Sequence, residues 1–447
     1  MFLVLLCSLA FATTDPACPF GVNAHQAPES SLTEGAAAGV GWARFDMNWN
    51  QFEPTDGGYD WTVADRFIDA ASDQGLNVYV TVAYTPSWAG EAGCDDNDAD
   101  EQRWCRNSVP AAQDYATFVT AAVNRYGDRV EHWGIWNEPN LSHFFRGSVE
   151  DYLDQVLIPG ADAVHAACSD CLVVGPDLAH LRSSDAWNGE SGICAFGECI
   201  FNGWEVSLAE ILDGSGGRID VVAHHIYTDS AQDMLVELVD GQSVAGVQYE
   251  SGVKEITDAH APGTPVWITE FGWETLPGGE WSEAAAAGEI EAAYAGLVAL
   301  QSGTQTGAVN QPWPELEKFF WYDLQDDPNT YDWGVFTWGL LDTEGQRKET
   351  WEGMAAAVAT YGGCEAVEEE PGDDTGDPTE EDTDEPGDDE EQDSGDEDEE
   401  PTDTGSEGAQ HQDTTPPGCG CAAAPGAASF AWLGLLALAR RRRRRSE

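Results

Sequence analysis

Between residues 20 and 361, short apolar runs alternate with longer amphipathic stretches, a pattern that predicts strands alternating with helices. Such alternation is typical of βα units that build a parallel sheet. The apolar runs number eight, and they begin near Phe20–Asn23, Gly41–Arg44, Leu76–Val82, Val130–Trp136, Leu172–Gly175, Ile219–Ala223, Pro265–Thr269 and Lys318–Tyr322. Eight strands with interleaved helices favour a closed (β/α)₈ TIM barrel over an open sheet.

The stretches between the apolar runs have the spacing of helices with one buried face. Apolar residues recur there at positions i, i+3, i+4 and i+7. Three such sets are Ala64/Phe67/Ile68/Ala71, Tyr115/Phe118/Val119/Ala122 and Ile290/Ala293/Tyr294/Leu297. The connection between Trp187 and Trp204 is longer and contains two cysteines, which predicts a surface loop closed by a disulfide.

The composition divides the chain into a folded part and three other segments. Residues 2–12 form an apolar run that ends in a small-x-small site, so we expect residues 1–12 to be a signal peptide of a secreted protein. A single catalytic domain is predicted over 18–364. Residues 365–417 are rich in Asp, Glu, Gly, Pro and Thr and predict a disordered acidic linker.

Residues 418–447 contain a Cys-Gly-Cys motif, an apolar stretch and a cluster of six arginines. The apolar stretch is just long enough to cross a bilayer as a transmembrane helix. The arrangement resembles the myxobacterial C-terminal sorting tail, which implies location at the cell surface or outer membrane after processing near the cysteines. An ordinary C-terminal membrane anchor is the alternative.

Charge and tryptophan content narrow the classes of partner. The formal net charge of −63 disfavours nucleic acid and acidic polymers as partners on Coulombic grounds. The 18 tryptophans are more than a barrel core needs, and their flat faces suit stacking against sugar rings. A neutral carbohydrate is therefore the expected substrate, bound by a protein that we expect to be a monomer.

The cysteines of an exported chain predict disulfides. Three pairs are close in sequence: Cys94–Cys105, Cys168–Cys171 and Cys194–Cys199. Cys18 and Cys364 then remain to join the two ends of the barrel. The alternative for the Cys168 and Cys171 pair is a redox or zinc motif.

Two glutamates stand where a barrel hydrolase needs carboxyl groups. Glycoside hydrolysis uses one carboxyl group to protonate the leaving oxygen and another to attack the sugar or activate water. In a barrel these groups belong at the C-terminal ends of strands. Glu138 follows the fourth apolar run in Trp133-Gly-Ile-Trp-Asn-Glu-Pro-Asn140, and Glu270 ends the seventh in Trp267-Ile-Thr-Glu-Phe-Gly-Trp273. This chemistry needs no cofactor and no metal ion.

These motifs resemble a clan of retaining (β/α)₈ glycosidases whose catalytic glutamates lie on strands 4 and 7. Within it, the sequence is most similar to the branch that includes β-xylosidases and iduronidases. The resemblance rests on Asn137-Glu-Pro139, Thr269-Glu-Phe-Gly272, His225-Ile-Tyr227 and Arg44, in barrel order, and covers residues 20–361.

The resemblance implies a role for each matching residue. Glu138 is the acid/base and Glu270 the nucleophile. Five further residues are implied in the substrate site: Asn137 at the sugar 2-hydroxyl, Arg44 keeping the nucleophile ionised, Tyr227 touching it, His225 lining the subsite and Trp321 as a stacking platform.

The sequence therefore predicts a retaining, β-glycan-active glycoside hydrolase that acts by double displacement. Three alternatives remain: an endo-glucanase or mannanase of the same clan, a glycan-binding barrel without turnover, and an inert surface adhesin. The alternating acids at 96, 98 and 100 also resemble the start of a calcium loop, but Glu101 stands where an EF-hand has glycine.

Overall fold

The computed structural model describes residues 17–90, 105–141, 144–181, 193–195, 198–200, 203–244, 247–275, 281–304, 311–331, 334–362 and 364. Eight parallel strands close into a barrel, each pairing with the next along the chain and the last with the first. The strands are β1 (Phe20–His25), β2 (Trp42–Asn48), β3 (Asn77–Ala83), β4 (His132–Ile135), β5 (Leu172–Leu178), β6 (Val221–His225), β7 (Val266–Phe271) and β8 (Leu316–Trp321). The predicted TIM barrel and its eight strands are confirmed.

Helices surround the barrel and bury one face against it. The longer ones are Glu29–Ala38, Thr62–Asp73, Ala112–Tyr126, Ile158–Ala167, Trp204–Gly214, Ala231–Val239, Val253–His260, Glu283–Ser302 and Glu349–Tyr361. Short turns of helix span Trp49–Phe52 and Val149–Tyr152, the latter continued by a π-helical segment at Leu153–Leu157. All three predicted sets of helical apolar positions are buried.

In the described part of the chain, three two-stranded hairpins accompany the barrel. They pair Ile193–Ala195 with Glu198–Ile200, Gln242–Val244 with Val247–Glu250, and Asp327–Tyr331 with Gly334–Phe336. The first hairpin lies in the long connection that the sequence singled out, and its register sets Cys194 opposite Cys199.

Large aromatic side chains pack together in the barrel core. The rings of Trp42 and Trp267 lie 5.1 Å apart, and Phe320 stacks on Trp267 at 5.8 Å. A side chain at Gly21 would collide with the ring of Phe320, since a Cβ there would lie 2.4 Å from it. Glycine at this position therefore leaves room for the aromatic core.

The ends of the described barrel are joined by a disulfide between Cys18 and Cys364, as predicted. The predicted Cys168–Cys171 disulfide is also present. Cys94 lies outside the described residues, and so does the calcium-like segment 96–101. The predicted signal peptide, acidic linker and C-terminal sorting tail lie outside them too. Among the helices that the structure describes, none is both long and apolar enough to span a membrane.

Candidate active site

A cavity of about 210 Å³ opens where the C-terminal ends of the barrel strands meet. Five of the seven site residues predicted from the sequence line it: Arg44, Asn137, Glu138, Tyr227 and Glu270. They come from different strands and from segments that follow them, so barrel closure brings them together. This is the rim where a barrel enzyme carries its active site.

The two predicted catalytic glutamates face each other in this cavity. Glu138 and Glu270 are 7% and 6% exposed, so both carboxyl groups are largely removed from water. A carboxylate oxygen of one lies within 4.8 Å of an oxygen of the other. Two residues that are 132 positions apart in the sequence are thus close enough to act on the same glycosidic bond.

Arg44 organises the side of the cavity that holds Glu270. Its Nη1 donates to Glu270 Oε1 at 2.5 Å and to Asn23 Oδ1 at 2.9 Å. Its Nη2 donates to Asn137 Oδ1 at 2.8 Å, and Nε donates to Thr81 Oγ1 at 2.9 Å. All three guanidinium nitrogens therefore donate hydrogen bonds, and the positive charge lies against Glu270 in a buried setting.

Tyr227 and His225 also contact the carboxyl groups. The Tyr227 hydroxyl donates to Glu270 Oε2 at 2.7 Å, which places it against the glutamate as predicted. Nδ1 of His225 lies 2.9 Å from Glu138 Oε1 and 3.4 Å from Glu270 Oε2. His225 is fully buried behind the carboxyl groups, however, so it supports them rather than lining the cavity as the sequence predicted.

Asp177, on β5, is a site residue that the sequence analysis missed. It is completely buried, and its carboxylate accepts hydrogen bonds from the hydroxyls of Tyr79 and Thr269. It also lies 3.4 Å from His225 Nε2 and 3.9 Å from Arg44 Nη2. The available signal was an aspartate inside an otherwise apolar run.

The main chain of Asp177 also reaches the acid/base candidate. Its carbonyl oxygen accepts a hydrogen bond from the backbone N–H of Glu138 at 3.0 Å. Gly134 gives Tyr79 room to reach Asp177, because a Cβ at position 134 would lie 2.5 Å from the Tyr79 hydroxyl. Asp177 thus connects β4, β6 and β7 beneath the cavity.

Burial and neighbouring charge shift the pKa values of this group. Burial raises the pKa of Glu138, and Glu270 adds to that shift, whereas His225 and Arg44 oppose it. Burial alone would lower the pKa of His225, but Glu270, Asp177 and Glu138 outweigh it and raise the pKa to about 9. His225 is therefore an imidazolium at neutral pH, held among three carboxyl groups.

Left-handed backbone conformations are concentrated at this rim. The described non-glycine residues with positive φ are His25, Tyr84, Trp136, Glu138 and Asp177, and each lies at or near the C-terminal end of a barrel strand. Such conformations are unfavourable for residues with a Cβ and cluster at functional sites. The φ of 42° at Glu138 means that surrounding contacts hold the acid/base candidate in place.

Trp321 does not form the cavity wall, which corrects the sequence-based prediction. It is fully buried against Phe271 and Trp273, and its Nε1 donates to the carbonyl oxygen of Trp338. Successive side chains at the end of β8 point to opposite sides, so the next residue, Tyr322, lines the cavity instead. The described aromatic walls are Tyr84, Phe144, Tyr227 and Tyr322, and no described tryptophan is among the lining residues.

His224, the neighbour of His225 on β6, is not among the residues that line the cavity. Its ring packs against Trp204 at the start of helix Trp204–Gly214. Its Nε2 lies 2.8 Å from Nδ1 of His180, which does line the cavity.

A second charged group lies at the cavity wall. Nδ1 of His25 is 2.7 Å from Asp46 Oδ2, and its Nε2 is 3.7 Å from Asp323 Oδ2. Burial would lower the pKa of His25, but the two aspartates outweigh it and raise the pKa well above the ordinary value.

Glu138, His225 and Glu270 are close enough to bind one metal ion. Both oxygens of Glu270 are already hydrogen-bonded, one to Arg44 and one to Tyr227. A metal would have to compete with a guanidinium and an imidazolium, so the donor set suits a carboxylate pair better than a cation site.

The chain is similar to known glycoside hydrolases. The family model for glycosyl hydrolases family 39 matches residues 41–309. The fold is similar to that of a family 39 glycoside hydrolase from Bacteroides cellulosilyticus WH2, with 20% identity and a TM-score of 0.51, over 77% of this chain and 64% of that one. This chain therefore spans less than two thirds of the length of that protein.

Two further solved structures share the fold. A glucosidase from Croceicoccus marinus has 14% identity and a TM-score of 0.52, covering 78% of this chain and 68% of that one. A family 39 β-xylosidase from Caulobacter crescentus has 20% identity and a TM-score of 0.50, covering 78% and 73%. With the family match spanning most of the barrel, these findings establish that the chain belongs to glycosyl hydrolases family 39.

Proposed function

We propose that this protein is a retaining glycoside hydrolase that cleaves β-linked oligo- or polysaccharides by double displacement, with a β-xylosidase-like activity. The observation that carries the proposal is the approach of the Glu138 and Glu270 oxygens to within 4.8 Å. Retaining enzymes have carboxyl groups about 5–5.5 Å apart, whereas inverting enzymes need roughly 6.5–9.5 Å to admit a water molecule. The observed spacing favours direct attack on the sugar.

Glu270 is the nucleophile in this proposal. Its two oxygens are held by Arg44 and Tyr227, so the carboxylate has one fixed orientation. It attacks the anomeric carbon while the bond to the leaving oxygen breaks, and a glycosyl ester forms. Fixing the attacking group in this way removes entropy that the reaction would otherwise have to lose in the transition state.

Glu138 is the acid and then the base. Burial raises its pKa, which keeps the proton available for the leaving oxygen. Once Glu270 is esterified it no longer carries a negative charge, so the proton affinity of Glu138 decreases. Glu138 can then accept a proton from the water that attacks the ester, and the original configuration is restored.

Asn137 and the aromatic walls hold the sugar. The amide oxygen of Asn137 accepts from Arg44, which leaves its NH₂ group as the donor for the sugar 2-hydroxyl. Tyr322 and Tyr84 supply flat faces at the cavity wall. Hydrogen bonds to the 2-hydroxyl that strengthen in the transition state add to catalysis in such enzymes.

We also propose that the protein is exported as a monomer and associated with the cell surface through its C-terminal tail. The Cys18–Cys364 and Cys168–Cys171 disulfides support an oxidising compartment. Mass analysis of the protein from its native cells tests this directly. We expect an N-terminus near residue 13 and loss of the tail at the cysteine motif, and a chain that keeps both ends contradicts the proposal.

The catalytic proposal is tested by the stereochemistry of the first product. Aryl β-xyloside, β-glucoside and β-mannoside are offered to the wild type, and proton NMR records the anomer that appears first. We expect the β-anomer from whichever substrate is cleaved, while an initial α-anomer contradicts double displacement. Glu138→Gln and Glu270→Gln should each lose at least about 10³-fold in kcat, whereas Glu291→Gln, an exposed helical control, should retain activity.

A further inference from the structure

Arg106 is a charged residue of the cavity wall that the proposed mechanism does not use. It lines the same cavity as Glu138 and Glu270. Its guanidinium lies over the ring of Tyr84, 5.1 Å from the centroid. Its Nε is buried and has no hydrogen-bond partner among the residues that the structure describes.

Most of the described arginines of this acidic chain have a carboxylate partner. Five other described arginines each form an ion pair, namely Arg44, Arg125, Arg129, Arg218 and Arg347, whereas Arg66 donates to the carbonyl oxygen of Gln26. The formal net charge of −63 means that acidic partners are abundant. Arginine cannot lose its proton in a protein, and all five of its N–H groups are donors. Arg106 therefore presents a permanent positive charge whose natural partner is absent from the described residues.

The position of Arg106 is fixed before any ligand binds. Its carbonyl oxygen accepts a hydrogen bond from the backbone N–H of Thr85 at 2.8 Å, which ties it to the segment after β3. Tyr84 is held in a left-handed conformation, with φ of 73°, and its ring meets that of Trp136 edge-on at 6.1 Å. Such preorganisation lowers the entropy cost of binding.

We propose that Arg106 and Tyr84 form a subsite for an acidic substituent of the glycan, a carboxylate or a sulfate ester. This inference rests on the proposed glycosidase function and adds a substrate class to it. The fork of guanidinium donors matches the paired oxygens of either group. An anion entering the cavity also meets Asp46, Glu138 and Glu270, so it requires a compensating cation there.

The subsite is compatible with the overall charge of the protein. A polyacid would be repelled along its whole length by the acidic surface. A mostly neutral glycan with separate acidic substituents meets that repulsion only where a substituent lies. The Arg106 guanidinium then selects such a substituent next to the catalytic pair.

The first test compares one polymer with and without its charge. Full-length wild type, Arg106→Gln and Arg106→Lys are assayed on glucuronic-acid-substituted xylan and on the same xylan after reduction of its carboxyl groups. We expect the wild type to prefer the charged polymer, and Arg106→Gln to reduce the ratio of kcat/KM values by at least about 10-fold. Arg106→Lys should keep part of the preference. A ratio that is the same in Arg106→Gln and wild type overturns the inference.

Arg218→Gln is the matched control for net charge. It removes one positive charge from an exposed pair with Asp162, remote from the cavity wall. The ratio of kcat/KM values should not change in this variant. An equal reduction in both variants assigns the effect to the general field of the protein and contradicts the subsite.

The second test measures binding without turnover. D-glucuronate, D-glucose and inorganic sulfate are titrated calorimetrically into the wild type and Arg106→Gln. We expect glucuronate or sulfate to bind more tightly than glucose, and this advantage to disappear in the variant; the tighter of the two anions identifies the substituent. Equal binding of glucose and both anions overturns the subsite. If the protein binds the anions but hydrolyses no glycan, the subsite stands and the proposed function is wrong. If it hydrolyses glycans but Arg106→Gln leaves the ratio of kcat/KM values unchanged, the proposed function stands and the subsite is wrong.

Discussion

The carboxylate of Asp177 lies 3.4 Å from Nε2 of His225, on the side of the ring opposite the one that contacts Glu138. Burial would raise the pKa of Asp177, but the positive charges of Arg44 and His225 and the hydrogen bond from Thr269 outweigh it and lower the pKa. Asp177 is thus a buried anion that helps to keep His225 charged between the two glutamates.

Replacing Asp177 by asparagine removes that charge with little change in shape. We expect the pKa of His225 to fall from about 9 towards its ordinary value, because one of the groups that raise it is lost. Catalytic turnover should decrease by roughly 10–100-fold as the support of Arg44 and His225 weakens. Titration of isotope-labelled histidines by NMR measures the first effect, and kcat the second.

Asp220→Asn is the matched control for this variant. Asp220 pairs with His165 at the surface, at 2.8 Å, so its loss should leave the titration of His225 unchanged. An unaltered pKa of His225 in Asp177→Asn contradicts the relationship described above.

The stability of the protein should depend on pH through His225. Its pKa is raised in the folded state, from 6.5 to about 9, so its contribution to the free energy of unfolding is complete below pH 6.5 and is lost as the pH rises through 9. The difference in this free energy between wild type and His225→Gln should decrease by roughly 3 kcal/mol over that interval. Denaturant unfolding at several pH values measures it, and a difference that stays constant across the interval argues against a buried imidazolium.

Substitutions of Tyr322 and Trp321 should separate effects on substrate binding from effects on the stability of the fold. Tyr322→Ala removes a cavity wall, so we expect kcat/KM to fall at least about 10-fold with a modest loss of stability. Trp321→Ala leaves a hole in the core and should destabilise the fold by about 3–5 kcal/mol. Kinetics and thermal unfolding of both variants test this. If both variants lose substrate affinity equally and Trp321→Ala keeps its stability, Trp321 is the stacking platform for the sugar, as the sequence predicted.

The two described disulfides should differ in their effect on stability. Cys18 and Cys364 are separated by 346 residues, whereas Cys168 and Cys171 are separated by 3. Closing the longer loop restricts the unfolded chain more. We expect Cys18→Ser with Cys364→Ser to cost about 2–5 kcal/mol, and Cys168→Ser with Cys171→Ser to cost clearly less. Denaturant unfolding compares the pairs, and equal costs contradict the loop argument.

The elements that could be predicted from the sequence are those encoded locally. The strand runs and helical faces depend on periodicity within a few residues, and Glu138 and Glu270 stand at the ends of such runs. Their meeting then follows from barrel closure alone, because all strands of a (β/α)₈ barrel end at the same rim.

The residues that were missed depend on contacts distant in sequence. The hydroxyl partners of Asp177, Tyr79 and Thr269, are 98 and 92 residues away, and no local motif joins them. At the end of β8 the sequence-based prediction chose the aromatic residue one position before the one that lines the cavity. The sequence locates the run but not the register that turns Tyr322, rather than Trp321, towards the cavity.

The most direct test of the central claim uses azide to identify the face from which each glutamate acts. Glu270→Gly with an activated aryl β-glycoside and azide should yield the α-glycosyl azide, because azide replaces the missing nucleophile. Glu138→Ala should yield the β-glycosyl azide, because azide then attacks the glycosyl ester on Glu270 from the opposite face. A β-azide from Glu270→Gly, or hydrolysis at the wild-type rate without azide, would contradict the assignment of Glu270 as the nucleophile facing Glu138 across the sugar.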